Sequence, residues 1–326
     1  MSSPTIILLG ATGTIGSAVL TELVTRSFDV HSFVRETSIG SVENLSDRHT
    51  ITAVDFSDPE TIRRALSDPT LALQNATVVS CLASRTGAPN DAKAIDYKAH
   101  SDFLKIAKGA GISGWVQLSA ICVQKPRLAF QFAKLKFEAE LMASGITYSI
   151  VRPTAYFKSL SGQADRLKAG KKFLVFGDGT KTACKPISTR DLATYIVDCI
   201  DNSERQNKVL PIGGPGPALT PIEQGRLLAD AIGVPLNIQK TPLALFDVLV
   251  PVLKGVGALV PALKEKAALA EIGRYYARES MLVWDKTHQT YNADATPEFG
   301  TDTLAEHYRG LAAGHVADDR GAHKVF

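Results

Sequence analysis

Short runs of β-branched and aliphatic residues alternate along the first half of the chain with longer stretches whose apolar positions recur at helical spacing. The runs are Thr5 to Leu9, Val30 to Val34, Ile51 to Val54, Thr77 to Ser80, Trp115 to Ser119 and Thr147 to Val151. Between them, Ile15 to Arg26, Pro59 to Leu66, Ala92 to Lys108 and Leu128 to Ala143 read as helices. Near-continuous apolar strands alternating with helices indicate βαβ units, because a strand covered on both faces has no polar side to show. The expected fold class is therefore α/β, a doubly wound parallel (Rossmann) sheet. After Arg152-Pro153 the rhythm changes, with a Gly-rich turn at Gly177 to Gly179, a helix from Thr189 to Asp201 and a Pro/Gly cluster at Pro211 to Pro217 that marks a lobe boundary. Helical patterns follow at Pro221 to Ile232, in the apolar segment 241–263 and at Lys264 to Ala277. The expected division is a first domain over 1–212, a smaller, mostly helical lobe over 213–310 with contributions from about 156–184, and a mobile tail over 311–326, where no periodicity is seen.

Composition narrows the function classes. With 36 Lys plus Arg against 33 Asp plus Glu among 326 residues, the formal net charge is +3, which argues against nucleic acid as a partner. The 45% hydrophobic and 21% charged content is that of a folded chain, and the mean hydropathy of +0.03 is slightly apolar. Cys81, Cys122, Cys184 and Cys199 show no metal-ligand spacing, so a reduced protein without a bound metal is expected. The segment 241–263 carries Asp247, Lys254, three prolines and two glycines, which argues against a transmembrane span. It reads as a lining for an apolar ligand, as a peripheral membrane contact, or as two core helices broken at Pro251. No leader precedes the first strand, so the expected location is the bacterial cytoplasm, or an organelle after processing.

Gly10-Ala11-Thr12-Gly13-Thr14-Ile15-Gly16 follows the first strand and opens the first helix. In such a turn the first glycine permits the tight bend, the second lets backbone N–H groups approach a pyrophosphate and the third allows close helix packing. A dinucleotide site is expected here, with Gly10, Thr12, Gly13, Thr14, Ile15 and Gly16 as contacts. The second strand ends at Arg35, where an NAD enzyme would place an acid for the ribose 2′-hydroxyl. A guanidinium suits a 2′-phosphate instead, which points to NADPH. Asp55, Leu82, Ala83 and Pro153 are also expected among the cofactor contacts.

The fifth strand ends at Ser119, and Lys134 follows within Phe130-Gln131-Phe132-Ala133-Lys134. This resembles the extended or atypical branch of the short-chain dehydrogenase/reductase superfamily, whose Y-x-x-x-K pair follows a serine at the end of strand five. Here Phe130 stands where that tyrosine would be, and a phenyl ring neither gives nor takes a proton. Alcohol oxidation through a tyrosinate is put in doubt, whereas hydride addition to a carbon–carbon double bond needs no such phenol. Lys134 can still bind the nicotinamide ribose or supply a proton.

Several blocks resemble the divinyl chlorophyllide 8-vinyl-reductases: Cys81 to Gly87, Ser119 to Pro126, Lys134 to Leu141, Tyr148 to Ala155, Phe176 to Gly179, Ala183 to Ser188, Lys208 to Gly216 and Ile272 to Met281. The resemblance implies NADPH-dependent reduction of the C8 vinyl group of a 3,8-divinyl chlorophyllide (or protochlorophyllide) to ethyl, a step of chlorophyll or bacteriochlorophyll synthesis. The partner is then a tetrapyrrole that carries its own magnesium. Candidate catalytic residues are Lys134, Ser119 and Tyr156, with Lys134 first and Tyr156 second as proton donor beside a bound water. The substrate's free propionate calls for a cation, and Arg85, Lys125, Arg152 and Lys185 lie at strand ends or turns bordering the cleft. The alternatives are another atypical NADPH-dependent alkene reductase and a non-enzymatic NADP-sensing regulator.

Overall fold

The computed structural model describes residues 4–260 and 262–315. Seven strands, β1 (Thr5–Leu9), β2 (Asp29–Val34), β3 (His49–Ala53), β4 (Thr77–Ser80), β5 (Gly114–Leu118), β6 (Thr147–Pro153) and β8 (Lys208–Ile212), form one parallel sheet in the order β3-β2-β1-β4-β5-β6-β8. The chain leaves β1 in one direction and β4 in the other, which opens a crevice at their carboxyl ends. Alternate residues of β1 serve the two faces: Ile6 and Leu8 join the core beneath α1 (Thr14–Thr25) and α5 (Thr189–Asp201). Ile7 and Leu9 join the core beneath α2 (Pro59–Leu66), α3 (His100–Gly109) and α4 (Ala129–Met142). Both faces are thus covered, which is why every residue of β1 is apolar or buried.

The last strand, β8, went unrecognised in the sequence because Pro211 interrupts it. At the edge of the sheet Pro211 costs no ladder bond to an outer neighbour. The second lobe is less purely helical than expected. It contains a parallel pair, β7 (Phe173–Phe176) with β9 (Ile238–Thr241), and an antiparallel ribbon, β10 (Val283–Asp285) with β11 (Thr290–Asn292). Its core joins Phe173, Val175, Leu228 of α6 (Pro221–Ile232), and Leu304, Tyr308 and Leu311 of α9 (Leu304–Ala312). Helix α9 corrects part of the tail expectation: residues 311 and 312 are helical and Leu311 is buried. The rest of that expectation, from 316 on, lies outside the described residues.

The segment 241–263 also departs from the reading of two broken core helices. Pro251 lies inside one helix, α7 (Ala244–Leu259), which packs against α8 (Ala262–Tyr276) as a hairpin. Its outward side carries Leu245, Val248, Leu249, Val252 and Val256, with Val248 66% exposed. Asp247 is paired with Arg278 and Arg274, and Lys254 with Glu271, so the charges of α7 are tied to α8 and to Arg278, two residues beyond its end. Among the described residues no helix is long and apolar enough to cross a membrane.

Candidate active site

The crevice begins at the turn after β1. Gly10 has φ +83°, and a Cβ there would lie 2.7 Å from the Cys81 carbonyl carbon and the Leu82 nitrogen, so only glycine fits beside the end of β4. A Cβ on Gly16 would come within 2.0 Å of the Gly10 carbonyl oxygen, which fixes α1 hard against the turn. Gly13 is the N-cap of α1 and offers no side chain to its free N–H groups, and the first turn holds no acid. The helix end therefore presents uncompensated donors to an anion, and the cradle fits a dinucleotide pyrophosphate. Lys158, from the short helix Phe157–Leu160, brings its Nζ within 3.0 Å of Thr14 Oγ1. This second-lobe cation at the cofactor turn was not anticipated in the sequence. Arg35 is exposed at the end of β2. Asp55 turns into its own loop, where Ser57 donates from N–H and hydroxyl to Oδ1 and holds the carboxyl below its ordinary range.

Across the crevice, Lys134 points inward from α4. Its side chain is 11% accessible, and Nζ lies 3.0 Å from Oδ1 of Asp96, whose side chain is fully buried. Asp96 sits in a π-helical stretch, Ala92–Ala99, that leads into α3. Beside this pair His100 is buried and neutral. Its Nδ1 donates to the Ile95 carbonyl at 2.8 Å, which leaves Nε2 to accept from Ser80 Oγ at 2.8 Å. Burial, helped by the Lys134 charge, pushes the imidazole down to about 4.

Two expected site residues take part in a different arrangement. Ser119 donates its hydroxyl to Glu138, and Arg152 binds the same carboxylate through Nε and Nη2. The Glu138 side chain is 1% accessible. Ser119 and Arg152 thereby tie α4 onto the ends of β5 and β6, an arrangement different from the proton-handling and propionate-binding roles expected of them. Two more cations are likewise satisfied inside the chain. Lys125 pairs with Glu279 at 2.6 Å and lies over the Trp284 ring at 3.9 Å. Lys185 is 6% exposed and pairs with Glu298. A buried cation needs a counter-ion, and the acids that supply it stand 154 residues from Lys125 and 113 from Lys185, so no local pattern announces them. Arg85 alone of the four is exposed, on the loop after β4.

The C-terminal half of α8 closes this region from above. Tyr275 donates to the Cys122 and Lys125 carbonyls at 2.8 and 3.1 Å, and Tyr276 reaches the Cys122 sulfur at 3.6 Å. Phe130 and Ile272 meet over Gly87, so the phenyl ring where a tyrosine might stand belongs to this apolar cover. Tyr156 is half-buried at the start of the second lobe, and burial pushes its phenol, like that of Tyr276, well above the ordinary range. Cys81 is pushed up to about 12 for the same reason. A cavity of about 180 Å³ lies behind Tyr276, between Phe176, Cys184, Gln224 and Met281. It is smaller than the roughly 300–1,000 Å³ of an ordinary small-molecule pocket, so a flat macrocycle would have to use the open crevice. Another cavity, of about 220 Å³, lies at the opposite, amino ends of β4 to β6, away from the crevice. Among the described residues, no group of His, Cys, Asp and Glu is arranged to hold a metal.

A glycine cradle at the first turn of a doubly wound sheet, faced by a lysine on the helix after β5, defines an NAD(P)H-binding oxidoreductase. The sequence model of the NAD(P)H-binding family matches residues 10–203. The chain belongs to the divinyl chlorophyllide a 8-vinyl-reductase family: the chloroplastic enzyme of that name from Cucumis sativus is 47% identical over 98% of this chain and 79% of its own length. Its counterpart from Zea mays is 42% identical over 100% of this chain and 84% of its own length. Among solved structures, an NADPH-dependent quinone oxidoreductase from Escherichia coli in complex with NADPH superposes with a TM-score of 0.63 at 20% identity, covering 94% of this chain and 99% of that one. At that identity the likeness speaks for the fold.

Proposed function

We propose that this protein reduces the C8 vinyl group of a 3,8-divinyl chlorophyllide to ethyl, with NADPH as reductant. The observation that carries this reading is similarity to the vinyl-reductase family over nearly the whole chain, second lobe included. NADPH supplies a hydride when bound. The protein's part is to orient it and to deliver one proton. Gly10 to Gly16 and the start of α1 hold the pyrophosphate, with Lys158 as a nearby cation and Leu82, Ala83 and Pro153 walling the crevice. Lys134 holds the proton at Nζ and passes it to the pigment carbon that gains electron density after hydride arrival. The phenols of Tyr156 and Tyr276, held protonated by burial, close the site against water. Arg85 is the cation assigned to the propionate.

Mixing purified protein, NADPH and divinyl chlorophyllide should convert the pigment to its monovinyl form, followed by chromatography. Cofactor binding without conversion would overturn the reading. Arg35 is assigned to the 2′-phosphate. A charge-assisted contact is worth about 1.5–3 kcal/mol, so Arg35→Ala should raise the KM for NADPH roughly 10- to 100-fold and leave that for NADH nearly unchanged. Equal losses with both cofactors would remove this role.

The exposed apolar stripe of α7 is assigned to contact with the lipid surface from which so apolar a pigment is drawn. Vesicles containing anionic lipid should retain the protein in flotation, and Val248→Glu with Val252→Glu should release it. Equal flotation of both proteins would discard the contact.

A further inference from the structure

We infer that Asp96 is a positioning residue for the reduction, the counter-ion that holds the Lys134 ammonium in the crevice. The inference rests on the reading of Lys134 as proton carrier.

Lysine has a flexible four-carbon stem, and an unpaired Lys134 would spread over many rotamers or turn to solvent. Asp96 removes that freedom: its Oδ1 contacts Lys134 Nζ at 3.0 Å and accepts the Ser84 N–H at 3.3 Å. The backbone is shaped for this contact. Residues Ala92–Ala99 form a π-helical stretch, whose wider turn shifts a side chain from where a regular helix would place it. The stretch packs closely against α4, the helix that carries Lys134. Other groups near the ammonium are poor rivals as counter-ions. His100 is committed to Ile95 and Ser80, and Cys122 is a buried thiol whose pKa is raised by its burial.

Stability alone gives little reason for this pair. Replacing a buried ion pair with apolar side chains of similar volume is often neutral or favourable. Asp96 also carries a standing cost, since its Oδ2 is buried with no hydrogen-bond partner. An acceptor left over beside the lysine suits a hydroxyl donor, either a ribose hydroxyl brought by the dinucleotide or a water. The two sources share one chemistry, and cofactor affinity tells them apart.

The test uses the full chain. Asp96→Asn keeps the side-chain shape and removes the charge. It should lower kcat at least roughly tenfold while the protein stays folded with an unchanged far-UV spectrum. NADPH affinity measured by fluorescence without pigment should weaken about three- to tenfold if the ribose is the donor to Oδ2 and stay level if water is; both agree with the inference provided kcat falls. In the Lys134→Met background, Asp96→Asn should change kcat no further, because its effect passes through the lysine. Asp96→Glu keeps the charge and displaces the ammonium, so kcat should again fall with KM for the pigment unchanged. Full turnover in Asp96→Asn or Asp96→Glu, or a second independent loss on top of Lys134→Met, overturns the inference and leaves the reading of Lys134 intact. Full turnover in Lys134→Met sinks that reading, and the inference with it.

Discussion

Lys134→Met is expected to lose turnover by about 10²- to 10⁴-fold, the range of a positioned proton donor. It should also become less stable, since the substitution leaves the Asp96 carboxylate buried without a counter-ion. The two losses have different cures. Adding Asp96→Asn removes the orphaned charge, so the double variant should regain much of the lost melting temperature and none of the lost turnover. Single-turnover conversion of pigment and thermal unfolding read the two effects separately. A Lys134→Met enzyme with near-normal rate would eliminate this lysine as proton donor and as ribose anchor together, and would move attention to Tyr156, Tyr276 or a water.

Helix α4 is where the sequence stops being legible. Lys134, Lys136, Glu138 and Glu140 look alike in the sequence, four charges in a run consistent with a solvated face. In the structure they separate by helical spacing. Lys134 and Glu138, four apart, share one side and are buried against the sheet ends, whereas Lys136 lies over the Tyr97 ring and Glu140 meets Ser101 and Lys105. Nothing local marks the first pair as buried, because their partners Asp96 and Arg152 come from other elements. Local signals served well where the structure is local: apolar runs marked six strands, and the spacing of three glycines marked the cradle. Helix α9 had such a signal too, the capping box Thr303 to Glu306, masked by the aperiodic residues beyond it. Three of the four candidate cations are paired within the chain, and the sequence hides this for a physical reason. A strand-end lysine or arginine looks the same in sequence whether it faces solvent or a distant carboxylate, and only the folded chain separates the paired Lys125, Arg152 and Lys185 from the exposed Arg85.

Glu138→Leu is expected to be the most destabilising substitution at the site. The carboxylate receives the Ser119 hydroxyl and two guanidinium nitrogens of Arg152, with the Arg152 side chain itself 19% accessible. Removing it strands a largely buried cation, a loss of about 3–5 kcal/mol. In a chain of this size that should lower Tm by on the order of 10 °C. Glu138→Leu combined with Arg152→Met removes both charges and should recover most of the loss. That double variant also decides what Arg152 is for. If the arginine only ties α4 to the end of β6, the KM for pigment stays within a few-fold of wild type; a rise of more than about tenfold, the value of a lost charge-assisted contact, would return Arg152 to the propionate. Turnover in the single variant should fall as well, though Glu138 touches no reacting atom. It sits one helical turn from Lys134 on the same side of α4, and misplacing a reacting group by about 1 Å can cost on the order of 10²-fold in rate. An unchanged Tm would mean that the cluster does not lock the helix at all, and any fall in rate would then require a direct role for Ser119.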